Sequence, residues 1–236
     1  MKIAHISDLH CAHTYMFNEE AMKSGIKRIN EENPDLVIIT GDLTDWGIKE
    51  DYEYALQFIE MIEAEKLIVP GNHDERTDGY RKFERYIGKR YFARAIDGIF
   101  FMGLDSADPD VDTGHMGREL IAWAKKEMEK AKDMRKVVFF HHHLLPIPHT
   151  GRERNILTDA PDVIEFIMDS EVSLVLGGHK HVPWVWNLNG LIISHTASFS
   201  SRRSPVENSY NLIEIGDESL KIERVYNVSG KREKIL

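Results

Sequence analysis

The sequence has 236 residues, 42% of them hydrophobic and 29% charged, with a formal net charge of -9. That is the composition of a globular chain long enough to bury a sizeable core, and its acidity disfavours a nucleic-acid partner held by a broad basic surface. Cys11 is the only cysteine, which excludes an internal disulfide and a cysteine zinc cluster and fits a reducing, cytoplasmic setting.

The N-terminal KIAHIS predicts a short buried strand rather than a signal-peptide core, and no apolar stretch is long enough for a spanning helix, so no membrane partner is expected. Met22, Ile26 and Ile29 recur at helical spacing over residues 18–32. DLVIIT, residues 35–40, is a continuous apolar run of the kind covered on both faces of a sheet. Tyr54, Phe58, Met61 and Ile62 predict an amphipathic helix over 50–64, and KLIVP a third strand, stopped by Pro70 and Gly71. A short helix over 77–88 and two strands, YFARAI and IFFMGLD, follow. Residues 117–132 predict a helix with a basic C-terminal end that suits the helix dipole. KVVFFHH reads as a strand, TDAPDVIEFIMDS as a helix capped by Thr158 or Asp159, and VSLVLGG as another buried strand. VPWVWNLNG, LIISHT, NSYNLIEI and LKIERVYN then read as strands with no helix between them. This pattern predicts one α/β domain over residues 1–236: a four-layer α-β-β-α sandwich of two mostly mixed sheets flanked by helices.

The polar residues that end these strands share one character. The first strand ends in Asp8-Leu9-His10, the second in Gly41-Asp42 and the third in Gly71-Asn72-His73-Asp74. KVVFF ends in His141-His142-His143, and VSLVLGG in His179-Lys180-His181. Each piece alone reads as a turn or a solvated loop. Five strands ending in Asp, Asn and His point instead to one site outside their C-terminal ends. These donors suit Mn, Fe, Zn, Ni or Co. His179 and His181, two residues apart, suit adjacent ions, as do Asp8 and His10 unless the chain bends. Asp42, on the tight Gly41 turn, is the best candidate to bridge two ions.

The order D-x-H, G-D-x-x-D, G-N-H-D, H-H-H, G-G-H-x-H across residues 8–181 resembles the calcineurin-like metallophosphoesterases. GLDS at 103–106 followed by GHMGRELIAWAKKEME is similar to the Gly-x-Leu-x-x-x-Gln-Leu-x-Trp-Leu pattern of class III cyclic-nucleotide phosphodiesterases, with Glu119 in place of Gln and Ala124 in place of Leu. The resemblance implies two divalent transition-metal ions. Asp8, His10, His181 and shared Asp42 would hold one. Asp42, Asn72, His179 and a histidine from 141–143 would hold the other. Relatives place that histidine two residues before a proline. Leu144 stands at the proline position, which selects His142 and leaves His141 as the alternative.

The resemblance further implies phosphoester hydrolysis by a metal-activated hydroxide, with Asn72 and His73 contacting substrate and His73 serving the leaving oxygen. Asp45 would hydrogen-bond His73. Trp46 stands where protein-phosphatase relatives carry Arg, which argues against their grip on a phosphoprotein. The expected substrate is a small phosphodiester. A phosphomonoesterase or nuclease on the same site is the rival reading, and a non-catalytic scaffold a weaker one. A homodimer is expected by analogy alone. Cys11, His13, His195, Arg202 and Arg203 are left as rim or loop residues, with a solvated loop the default for "SHTASFSSRRSP".

Overall fold

The computed structural model describes residues 1–236. The first sheet carries β1 (Lys2–Ile6), β2 (Leu36–Thr40) and β3 (Glu65–Val69), connected by α1 (Glu19–Glu32) and α2 (Lys49–Ile59). After α3 (Gly79–Tyr86) the chain builds a second sheet from β4 (Phe92–Ile96), β5 (Ile99–Gly103), β6 (Arg135–Phe139), β7 (Leu174–Gly177), β8 (Trp184–Leu188) and β9 (Leu191–His195). Helices α4 (Gly117–Met128) and α5 (Ala160–Asp169) cross over that sheet. β10 (Ser209–Ile215), β11 (Leu220–Tyr226) and β12 (Arg232–Lys234) return to the first sheet.

Strand order is β12-β11-β10-β1-β2-β3 in one sheet and β4-β5-β6-β7-β9-β8 in the other. β1, β2 and β3 are mutually parallel, as are β5, β6, β7 and β9. β10 to β12, and the edge strands β4 and β8, run antiparallel to their neighbours.

Alternation along the strands divides the core into three layers. In β2, Leu36 and Ile38 face the second sheet, while Val37 and Ile39 pack under α1 and α2 with Met22, Ile26, Ala55 and Phe58. In β6, Val137 and Phe139 face the first sheet, while Val138 and Phe140 pack under α4 and α5 with Ile121, Val163 and Phe166. The result is the expected α-β-β-α sandwich. No helix is long and apolar enough to cross a membrane.

Three local expectations need correction. The terminal strands, consecutive and without a helix between them, do not form the single meander that pattern suggests: β8 and β9 complete the second sheet and the rest complete the first. β12, which is short and exposed, has no apolar signal and was not expected. Asp159 does not cap its own helix. Its carboxylate accepts from the Met116 and Gly117 N–H groups and so caps α4.

The loops after β3 and β5 share one guanidinium. Arg90 Nη1 lies 2.7 Å from Asp105 Oδ2 and 3.4 Å from Glu75 Oε1, while Glu75 Oε2 is buried without a partner. Burial, then repulsion from Asp105, pushes the Glu75 carboxyl up from 4.5 to about 8 against the pull of Arg90. Between those two values the folded chain holds the extra proton. Stability from this group is therefore full at low pH and is lost as pH rises through about 8. Glu75→Gln should flatten the fall in stability between roughly pH 5 and pH 8, measured by urea unfolding at both. An unchanged pH dependence would contradict this protonation state.

Candidate metal centre

The five motif-bearing strands end on the same side of the sandwich, and their loops are bound to one another. Asp8 N–H donates to Gly41 O at 3.0 Å, His10 N–H to Asp42 O at 2.9 Å, and Gly178 N–H to His141 O at 2.9 Å. Gly41 has φ +89°, and a Cβ there would lie against Gly71 N and 2.7 Å from Pro70 C. Only glycine allows this backbone approach, which sets Asp42 beside Asn72. Asp74 joins the same two loops. Its buried carboxylate accepts from the N–H groups of Leu43, Thr44 and Gly71 and from Thr44 Oγ1, at 2.9 to 3.1 Å.

Five polar residues here have left-handed backbones: Asp8 (φ 56°), His10 (49°), Asp42 (52°), His179 (73°) and His181 (54°). Such conformations cost about 1–3 kcal/mol each and persist where surrounding structure imposes them. The bend brings Asp8 and His10 together with His181, their donor atoms within 4.8 Å of one another.

The donors form two groups that meet at one oxygen. In the first, His10 Nε2 lies 2.9 Å from His181 Nε2 and 3.5 Å from Asp42 Oδ2, and His181 Nε2 lies 3.3 Å from Asp8 Oδ1. In the second, His141 Nε2 lies 3.4 Å from the same Asp42 Oδ2, 3.0 Å from Asn72 Oδ1 and 3.2 Å from His179 Nδ1. Asn72 Oδ1 is also 3.1 Å from His179 Nδ1. Asp42 Oδ1 instead accepts from His73 N–H at 2.9 Å.

These separations fit metal ions. Ligand bonds of about 2.0–2.2 Å at octahedral or tetrahedral angles place neighbouring donors about 2.9–3.5 Å apart. His141 Nδ1 can only donate to Thr40 O, 2.7 Å away, which directs Nε2 at the cluster. Burial opposes charge on this ring, but Asp42 and Asp8 raise its pKa to about 9, so Nε2 would shed a proton to bind an ion. Burial disfavours charge on Asp42, yet His141, His73 and His10 hold its carboxyl well below the usual range. Burial also opposes charge on Asp8, which His181 and His141 hold at about 2. Both acids are therefore anionic inside the protein, balanced by neighbouring imidazoles in a place that divalent cations would take over as counter-charge.

Residues 1–183 match the family model described as calcineurin-like phosphoesterase. The chain belongs to that family. It is 30% identical over 155 residues to a probable glycerophosphodiester phosphodiesterase of Arcobacter nitrofigilis, covering 60% of this chain and 57% of that protein. It thus spans little over half of that relative's length. It is 25% identical to a probable cyclic nucleotide phosphodiesterase of Xenorhabdus bovienii, covering 84% of this chain and 87% of the relative. A dimetal phosphatase of Danio rerio has the same fold, with a TM-score of 0.77 at 11% identity, covering 100% of this chain and 98% of that one.

In this calcineurin-like chain Asp8, His10, Asp42, Asn72, His179 and His181 come together. Beside them lies His141, the alternative to His142. The physical reason is strand parity. Odd positions of β6 face the first sheet, and His141 continues that face toward Thr40 and Asp42. His142 is turned to Ser106 Oγ, 2.9 Å from its Nδ1, with Nε2 3.3 Å from Asp112 O.

The contact between Asp45 and His73 also differs in detail. His73 Nδ1 lies 2.8 Å from the main-chain oxygen of Asp45 and 3.4 Å from its carboxylate Oδ1. The carboxylate is drawn instead to Arg203, which donates to both of its oxygens at 2.5 and 2.7 Å.

Arg203 is exposed to solvent yet ion-paired with the buried Asp45 carboxylate. The stretch before it, residues 194–201, is buried, and His195 lies at the end of β9 with both ring nitrogens unpartnered. Arg202 lies over the exposed Tyr15 ring. Cys11 is buried, and His13 stacks on Tyr54, so neither reaches the site.

A cavity of about 450 Å³ opens over the donors, bounded also by Asp112, His149, Asn155 and Arg203. Asp112 Oδ1 accepts from Asn72 Nδ2 at 3.0 Å and from Arg76 Nη2 at 2.6 Å. This orients the amide with its oxygen toward His141 and His179. Asp74, Asp112 and Arg203 had no assigned role at the site in the sequence-based scheme, and His141 stood only as the alternative to His142. Strand parity is the one signal that could have found any of them.

Titration of Mn²⁺ into metal-stripped variants separates the two histidines. His141→Ala should lose one of two binding events, whereas His142→Ala should retain both. The reverse pattern would restore the assignment made from proline spacing.

Proposed function

We propose that this chain is a phosphodiesterase that uses two divalent metal ions to hydrolyse a small-molecule diester. Asp8, His10, His181 and Asp42 would hold one ion; Asp42, Asn72, His141 and His179 the other. The observation that carries this reading is Asp42 Oδ2, shared by both donor groups. Mixed imidazole, carboxylate and amide donors suit Mn, Fe, Zn, Ni or Co. Such ions supply Lewis-acid polarisation of the phosphoryl oxygens and a water of lowered pKa.

The protein's own groups divide the remaining work. Asp8 and Asp42 balance the cationic charge and leave the site net positive toward a phosphate when loaded. His73 faces the cavity with Nδ1 engaged by the Asp45 main-chain oxygen at 2.8 Å and Arg76 Nη1 at 3.0 Å, so Nε2 is the atom free for substrate. Burial opposes its protonation, yet Asp42 and Asp45 raise its pKa. A protonated His73 can then donate to the leaving oxygen from Nε2. Asn72, fixed by Asp112, borders the phosphoryl position.

The phosphodiesterase names of the two sequence relatives support a diester over a monoester. The net charge of -9 disfavours a nuclease, and the presence of His73 a scaffold role. We read the 236 residues as one domain, and the lone buried thiol as suited to a reducing compartment such as the cytoplasm.

Mn-loaded protein should hydrolyse bis(p-nitrophenyl) phosphate faster than p-nitrophenyl phosphate. Panels of cyclic nucleotides and glycerophosphodiesters then define the alcohol. His73→Ala should keep both ions and lose about 10²–10⁴-fold in kcat. Loss of an ion in that variant would make His73 a ligand instead. A clear preference for the monoester would overturn the diester reading.

A further inference from the structure

We propose that Arg203 is a positioning residue for the metal centre: it locks the Asp45 carboxylate against His10 and His73. This rests on the dinuclear reading above. Arg203 lies beyond the residues matched by the family model, in the serine-rich segment that follows β9.

That segment is tied to the site through backbone and hydroxyl groups. Phe199 N–H donates to Ser7 O at 2.9 Å, Ser198 Oγ to Asp8 O and Ser200 Oγ to Leu9 O, both at 2.6 Å. Ser204 Oγ donates to His181 O at 3.2 Å. These bonds hold the carbonyls of the left-handed stretch around Asp8. They also deliver Arg203 to Asp45, 158 residues earlier in the chain.

The fork is bidentate, and the Asp45 side chain is only 3% exposed. A buried carboxylate with both oxygens in one guanidinium plane has little freedom to rotate. In that orientation Asp45 Oδ1 lies 3.2 Å from His10 Nδ1 and 3.4 Å from His73 Nδ1. The Asp45 contact is close to His10 Nδ1 without meeting hydrogen-bond geometry, and a carboxylate there still favours the tautomer with the proton on Nδ1 and Nε2 bare toward Asp8, Asp42 and His181. The same oxygen limits how far the His73 ring can turn. Without Arg203, Asp45 could swing toward solvent and release both rings.

Arg203 also borders the cavity, so a direct substrate contact is the competing role. Each Nη donates one N–H to Asp45, which fixes the guanidinium plane and favours positioning, while the remaining N–H groups leave the substrate role to be tested. The two roles separate in a double-mutant cycle read by metal binding.

Mn²⁺ is titrated calorimetrically into metal-stripped wild type, Arg203→Ala, Arg203→Lys, Asp45→Ala and the Asp45→Ala/Arg203→Ala double variant, with urea midpoints as the folding control. Arg203→Ala should weaken one of the two binding events about 10-fold or more and leave the other unchanged. Lys keeps the charge but not the fork, so Arg203→Lys should fall between. The double variant should match Asp45→Ala, because Arg203 acts through that carboxylate.

Wild-type affinities at both sites in Arg203→Ala, or losses that multiply in the double variant, would overturn the proposal. So would a rise in KM alone with metal affinity intact, which would make Arg203 a substrate contact. If Arg203→Ala does not fold, Arg203→Lys and Arg203→Gln carry the same comparison. Wild-type protein that binds no Mn²⁺ would end the dinuclear reading and this inference with it. Binding without esterase activity would leave the positioning test intact.

Discussion

The carboxylate of Asp42 is the point on which the site depends. It is buried, anionic and shared: Oδ2 faces imidazoles delivered by β1 and β6, while Oδ1 fixes the main chain of the loop after β3. For this to occur, the ends of β2 and β3 must approach at backbone distance, which Gly41 permits and the Asp74 carboxylate secures. The two sheets must also face each other closely enough for His141 to reach Thr40 and Asp42. The layer containing Ile38, Val69, Val137 and Phe139 sets that separation.

The electrostatic cost is concentrated in the same small volume. Two anionic carboxylates and a cluster of buried imidazoles are unfavourable neighbours for a protein interior. Burial pushes His10 down to about 4 and His179 well below its ordinary value, so these rings resist protonation and retain bare nitrogens. Left-handed backbones add conformational strain at five of the donor positions. Left-handed residues occur in other loops too, but here they coincide with buried carboxylates and imidazoles in one small volume. Divalent cations would account for both the charge and the donor spacing.

Much of this was legible in the sequence for a physical reason. Buried parallel strands give continuous apolar runs, and the residues that end them lie at one edge of the sheets, so Asp8, Asp42, Asn72 and His179 stand out as candidates once the five strand ends are taken together. For the histidine after β6 two signals diverge: proline spacing in relatives points to His142, and side-chain alternation points to His141. Val137 and Phe139 already indicated which face His141 would occupy. Arg203 was illegible, since its partner is fixed only when the last strands return to the first sheet. That return was itself hidden: an alternating strand pattern does not say which sheet it joins, and β12 has no apolar residue to mark it.

The central claim is that two ions flank Asp42 Oδ2. Crystals grown or soaked with Mn²⁺ and measured for anomalous scattering test it directly. The account predicts two peaks per chain, one among Asp8, His10 and His181 and the other among Asn72, His141 and His179, with Asp42 between them. A single peak, or none with Mn²⁺ in excess, would contradict it.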